Sequence, residues 1–301
     1  MKLLALLIAY TLERFFTHLF GLREIRWLDG YFDQTFKWMG QGHGIRAYGV
    51  AVAALLVCAL PIFALAHYLE SAFFGVFYLA TSVVVLFLSL GPRDLSAEVE
   101  EFSEASMRGD HESMRRVAKE LLEFDAPEEE CKLGGAVASA VFVQSTNRTF
   151  GVFLWFVLLG PLGAWIFRVS DLMRRRAFYE NERQEEEGNT EAPYLQPLQT
   201  IHGILTWLPS RLAAMSFALA GSFEPATSAW KAYYTDNEAR FFDANDEVVA
   251  SAGCGALGRQ AQEDMLESPS AGARCALSLV ERSTIVWLVA IALLTIAGAA
   301  I

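Results

Sequence analysis

Four stretches of this chain run without a charged side chain over lengths that suit a bilayer: Ala47–Leu69, Ser71–Pro92, Thr149–Phe167 and Ser283–Ile301. Each is 19 to 23 residues long, and about 20 apolar residues rising roughly 1.5 Å each cross a hydrocarbon core of about 30 Å. A soluble chain of this size has room to hide one such segment as a core helix, but hardly four. No segment alternates apolar and polar residues with the period of two that a half-buried strand requires. The pattern predicts an all-α, polytopic integral membrane protein with cytoplasmic helical insertions.

Residues 1–20 form an apolar helix interrupted by the adjacent charges Glu13 and Arg14. Either the helix lies at the interface with its charges snorkelling, or it spans and the two charges face the bundle interior. The one Lys ahead of a short apolar run resembles a signal peptide, but no small-x-small cleavage site follows, so the helix reads as retained. The spans 47–69 and 71–92 are separated only by Glu70 and form a hairpin. Basic residues in its flanking loops place both ends in the cytoplasm.

After this hairpin, residues 93–147 read as an insertion of soluble helices. Leu95, Val99 and Phe102 make one apolar stripe; Met114, Val117, Leu121 and Leu122 make a second. Gly109 separates the two helices and Asp110 is placed to cap the second. Pro127-Glu128-Glu129-Glu130 then suits the first turn of a third. Within 149–167, Gly160-Pro161-Leu162-Gly163 breaks regular helix, and basic residues flank the segment on both sides. A broken or re-entrant segment keeps both flanks inside. Residues 170–282 read as a second soluble insertion, with an acidic linker at 180–191, and 283–301 is the last span.

The net charge of −11 argues against nucleic acid, which recruits basic surfaces. Four cysteines without a Cys-x-x-Cys spacing give neither a disulfide framework nor a metal site, and five histidines show no metal-ligand spacing. No phosphate loop ending in Lys-Ser/Thr occurs. Gly40-Gln41-Gly42-His43-Gly44 reads as a flexible loop, and no metal or cofactor is expected.

The most specific local signal is Leu205-Thr206-Trp207-Leu208-Pro209-Ser210-Arg211-Leu212. Proline disfavours helical geometry at the residue before it and suits the first turn of a following helix. That places Arg211 near a helix N-terminus in apolar surroundings, with Trp207 at headgroup level. Two readings stand: an anion or phosphate site at Arg211, or a structural pair between Arg211 and a carboxylate such as Glu13.

These residues carry a family resemblance. Leu12-Glu13-Arg14-Phe15-Phe16, the run Phe150–Pro161, the block Trp207–Leu212 and Ala218-Leu219-Ala220-Gly221-Ser222-Phe223 resemble the AmpE family, in the family's order and over essentially the whole chain. That family is named for modulation of β-lactamase induction at the inner membrane of Gram-negative bacteria. It is similar in turn to the adenosylcobinamide-phosphate synthases (the CobD/CbiB group). Arg93–Val99 and Ala252–Gly258 resemble segments of those enzymes.

Where the synthases carry an acidic pair and Asn before the aromatic-x-Pro-x-Arg block, this chain has His202, Gly203 and Thr206. Where they carry a Glu-rich stretch, it has Ser139–Asn147. ATP-dependent amide formation needs acidic groups to hold Mg²⁺ against phosphates. The resemblance therefore implies a regulatory or signalling protein that binds a small anionic or phosphate-bearing ligand, or a membrane partner, on a synthase-like scaffold whose enzyme activity is doubtful. Glu13, Arg14, His202, Trp207 and Arg211 are the residues expected to line its cavity.

Overall fold

The computed structural model describes residues 2–16, 25–40, 44–70, 75–91, 94–123, 126–127, 129–186, 192–236, 244–258 and 268–298. The side chains of residues 14–16, 70, 130, 131, 186 and 234–236 lie outside that set. Among the described residues there are helices and no strand. The fold is all-α.

In chain order the helices are α1 (Lys2–Phe16), α2 (Asp29–Gly40), α3 (Ile45–Glu70), α4 (Val76–Ser89), α5 (Leu95–Arg108), α6 (His111–Leu122) and α7 (Glu130–Ser145). A π-helical turn, Thr146–Phe150, follows. Then come α8 (Gly151–Leu159), α9 (Pro161–Glu186), α10 (Leu195–Ala220), α11 (Phe223–Asp236), α12 (Asn245–Ala256) and α13 (Pro269–Ile296). Among the described residues, three helices are long and apolar enough to cross a membrane: α3 over Ile45–Leu69, α10 over Leu195–Ala220, and α13. Helix α3 coincides with a charge-free stretch, and α13 overlaps the last one but starts earlier, taking in Arg274, Glu281 and Arg282; α10 lies within 170–282, where Arg211 and Pro209 interrupt the apolar run. Helix α4 is apolar but has 14 residues, about 21 Å, which is short of the hydrocarbon thickness.

The helices form two compact units, residues 1–92 with 151–205 and 300–301, and residues 93–150 with 206–299. In the first, α9 packs against α3, α4 and α8, α1 lies on α4, and α2 lies on α3. Trp165, Val169, Met173 and Ala177, spaced by four, give α9 a buried apolar stripe against Phe32, Phe36, Ala51 and Leu55. The expected break falls at Gly160, whose φ of +67° is the left-handed conformation glycine adopts readily. A Cβ at Gly163 would collide with the Trp155 carbonyl, so only glycine permits this turn. Helix α8 has nine residues, about 14 Å, and by itself is too short to cross. Lys2 Nζ donates to the Val157 carbonyl near the end of α8 at 3.1 Å, and the Tyr10 ring meets Phe153 edge-on.

Two prolines sit inside long helices, Pro61 in α3 and Pro209 in α10. Each lacks the amide that would bond four residues back. Trp155 Nε1 donates to the Leu205 carbonyl, four residues before Pro209, at 3.0 Å. Trp165 Nε1 donates to the Cys58 carbonyl, three before Pro61, also at 3.0 Å. A carbonyl freed by proline at membrane depth needs a neighbour's donor; Trp155 supplies it to Leu205, whereas Trp165 bonds the Cys58 carbonyl, next to that of Val57, the one that Pro61 frees.

In the second unit, α5 and α6 begin where the sequence puts them. Asp94 Oδ1 accepts from the Ser96 amide and Asp110 Oδ1 from the Ser113 amide, with Gly109 left-handed at the end of α5. Val99, Phe102, Met114, Val117, Leu121 and Leu122 are buried, as their spacing predicts. Helix α13 packs on α5 and α7, and α12 on α7 and α11. The centre is aromatic: Phe150 stacks on Trp287 and meets Phe217 at its edge, and Phe217 tilts against Phe142.

The segment 180–191, read as a linker, begins as helix: α9 continues to Glu186. Arg176 pairs with Glu180 one turn on, and the Asn181 side chain, itself buried, accepts from the Ala192 amide. Local i,i+4 pairing and ties to the returning chain, with Gln184 also donating to the Tyr194 hydroxyl, hold what composition alone leaves unfolded. Residues 187–191 lie outside the described set, as does His43 with most of the glycine-rich loop.

Candidate functional site

Helix α9 carries a polar stripe beside its apolar one. Arg168, Asp171 and Arg175, spaced by three and four, share a helix face. The side chains of Arg168 and Asp171 are fully buried and paired at 2.9 Å. Arg174, 16% exposed, donates to Asp171 at 3.2 Å. Arg175, 21% exposed, meets both carboxylate oxygens through Nε at 3.1 and 3.0 Å. His202, one of the residues expected to line the cavity, is buried against this cluster. Its Nε2 lies 3.9 Å from Asp171, Nδ1 lies 3.1 Å from Ser170 Oγ, and its ring tilts against Phe167.

Burial raises the pKa of the Asp171 carboxyl, but Arg175, Arg174, His202 and Arg168 outweigh it and hold the group far below the usual carboxylate range. Asp171 is therefore a fixed anion that organises cations around itself. Next along the helix, Arg176 is matched differently: it bonds both oxygens of Asp33 and pairs with Glu180.

The other expected residues fall elsewhere. Trp207 and Arg211 belong to the second unit. Helix α10 runs unbroken through Pro209, so Arg211 sits inside a helix and not at the N-terminus that proline suggested. Trp155's bond to the Leu205 carbonyl accounts for that continuity. Arg211 donates to neutral groups, Asn245 Oδ1, Ser210 Oγ and the Trp207 carbonyl, and its guanidinium lies 5.0 Å from the Trp207 ring. Glu13 is part-buried on α1, and the Arg14 side chain lies outside the described residues.

A further buried ion pair went unread in the sequence. Arg148, in the π-turn, bonds Glu98 of α5 at 2.7 Å and Gln144 Oε1 at 3.0 Å. Gln144 in turn donates to the Leu121 carbonyl and to Glu123. The network ties α5, the end of α6, α7 and the turn together. Arg168 and Arg148 were legible only as flanks of an apolar segment. The spacing Arg168-x-x-Asp171-x-x-Arg174-Arg175 is the signal that would have found the first cluster. Among the described residues, no group of three or more His, Cys, Asp and Glu side chains is placed to hold a metal ion.

Comparison with known proteins adds to this geometry. Residues 1–301 match the family model described as "Regulatory signalling modulator protein AmpE". Over 219 residues the chain is 31% identical to "Cobalamin biosynthesis protein CobD" of Stutzerimonas stutzeri, covering 72% of this chain and 67% of that one. A protein of the same name from Chromobacterium violaceum is 27% identical over 215 residues, covering 71% and 64%. "Protein AmpE" of Shigella flexneri is 36% identical over 96 residues, 32% of this chain and 31% of that one. The chain thus spans about two thirds of the length of the CobD relatives and a third of this AmpE. No solved structure matches it.

Proposed function

The chain belongs to the AmpE family, and from that premise we propose that it is a multi-pass regulatory or signalling protein of the bacterial inner membrane, linked to cell-wall recycling and β-lactamase induction. It acts by binding a ligand or partner, not by catalysis. The observation that carries this reading is the cluster on α9, where a buried carboxylate holds three arginines with His202 beneath. Such an arrangement of guanidinium groups around a fixed carboxylate is suited to recognising charge.

The positive-inside rule favours a cytoplasmic position for the basic flank Arg168–Arg176. The test is genetic. In a bacterium with an inducible β-lactamase, deleting the gene should change induction by a β-lactam, and the wild-type chain should restore it. Induction indifferent to both changes would refute the regulatory reading.

The CobD similarity favours a second reading, a membrane enzyme of the adenosylcobinamide-phosphate synthase type. An assay on the purified chain in lipid, with Mg-ATP, adenosylcobyric acid and aminopropanol phosphate, decides it. Product formed by this chain would replace the regulatory reading with the enzymatic one.

A further inference from the structure

We infer that α3 enters the hydrocarbon of the bilayer at about Ala54, so that its second half, Leu55–Leu69, lies in lipid while α2 clads its first half outside. The apolar length of α3 by itself would immerse the whole helix. The packing of α2 on it sets the boundary halfway along. This inference is independent of the regulatory reading and concerns the surface that the first unit offers to lipid.

The register of the two helices comes first. Tyr31 Oη donates to the Ala54 carbonyl at 2.9 Å. Tyr31 stands nine residues before the end of α2 and Ala54 nine after the start of α3, so the pair runs antiparallel. Phe32, Phe36 and Met39 of α2 share one core with Ala47, Ala51 and Ala54 of α3. Away from that core α2 is polar: Gln34 and Lys37 are exposed, as is Arg26 in the turn before it. Immersing the first half of α3 would carry these groups into hydrocarbon, where exposed charges are costly and rare.

An ion pair on the same helix agrees. Arg176 of α9 bonds both oxygens of Asp33, and the two side chains are 28% and 41% exposed. A pair this open is solvated by water or headgroups, whereas charges at membrane depth are enclosed by protein.

Burial along α3 changes at the same place. Ala47, Ala51, Ala54 and Leu55 are buried, but no side chain between Leu60 and Leu69 is. Leu56, Val57, Leu60, Phe63, Leu65 and Tyr68 are exposed beyond the boundary; Ile45 and Val52 are the exposed large apolar side chains before it. Exposed Trp27 lies on the Ala54 side of α2, where an amphipathic indole suits the headgroup level. The segment Leu55–Leu69 measures about 22 Å and α4, which packs on α3, about 21 Å, so both legs of the hairpin fit one depth.

The experiment uses the full chain in lipid nanodiscs, one copy per disc, with a single added cysteine at Gln34, Val52, Leu60 or Phe63. All four positions are exposed. Val52 and Leu60 lie two turns apart on one face of α3, so they differ in depth and not in cover. Alkylation by a charged, water-soluble maleimide is timed over the background of the unmutated chain. Each rate is divided by that of the same variant unfolded in SDS. A thiol in hydrocarbon stays protonated and unreactive.

Val52→Cys should react at least about tenfold faster than Leu60→Cys. Gln34→Cys should follow the fast variant, and Phe63→Cys the slow one. Val52→Cys as slow as Leu60→Cys overturns the boundary, because α3 is then immersed from its start. Leu60→Cys as fast as Gln34→Cys overturns the lipid contact. Disulfide-linked dimers of Leu60→Cys in native membranes under a mild oxidant would assign the bare half to a second copy and overturn it too.

Discussion

The indole of Trp155 donates to the carbonyl of Leu205 at 3.0 Å, the acceptor that Pro209 leaves without its helical partner. The contact explains how a proline sits in the middle of a 26-residue helix without ending it. It is also testable in a way most single contacts are not, because the missing donor can be restored from within the helix.

Trp155→Phe should cost about 1–3 kcal/mol, the usual range for stranding a polar group away from water. Pro209→Ala restores an amide to the same carbonyl. In that background the Trp155→Phe cost should shrink, giving a coupling of about 1 kcal/mol in a double-mutant cycle read by unfolding in mixed micelles. Additive costs would show that the two groups do not share the carbonyl.

Glu98→Gln leaves the Arg148 guanidinium buried beside a neutral amide. A loss of about 3–5 kcal/mol is expected, as when one partner of a buried pair is removed. Replacing both, Glu98→Leu with Arg148→Met, should recover much of it. The paired loss and recovery are measured by chemical unfolding, and a single variant as stable as wild type would contradict the buried pair.

Asp171 sets a pH dependence. Its folded pKa lies below the unfolded value of about 3.9. The stability it contributes is therefore present above pH 4 and is lost as pH falls from there towards the folded pKa. Between pH 3 and 7, wild-type Tm should drop below about pH 4 more steeply than that of Asp171→Asn. Parallel curves would mean that the carboxylate is not held by its arginines.

Gly253 faces the ring of Phe142 so closely that an added Cβ collides with ring atoms. Gly253→Ala should destabilise by about 1–3 kcal/mol through overpacking. Phe142→Leu in the same chain should relieve part of that loss by removing the ring edge. Thermal unfolding compares the three, and an additive double variant would place the cost elsewhere.

Several elements were readable from local pattern. The stripes of α5 and α6 follow from apolar residues three and four apart, and their starts from Asp94 and Asp110, because capping is a contact between near neighbours. The break at Gly160-Pro161 was readable for the same reason. Arg211 was not: Pro209 alone argues for a helix start, and the bond from Trp155 to Leu205, fifty residues apart, removes that argument.

The sequence by itself determined the solvent and the class. Charge-free runs of bilayer length leave the backbone no partner but itself, and helices satisfy it. What only the tertiary structure decided is which charges meet. Arg148 and Glu98 are fifty residues apart, and His202 reaches Asp171 from another helix. Even Asp171 and its arginines, close in sequence, show as a cluster only once α9 is seen with Arg168 and Asp171 buried. Burial is a property of packing, and packing turns ordinary surface charges into a fixed anion ringed by cations.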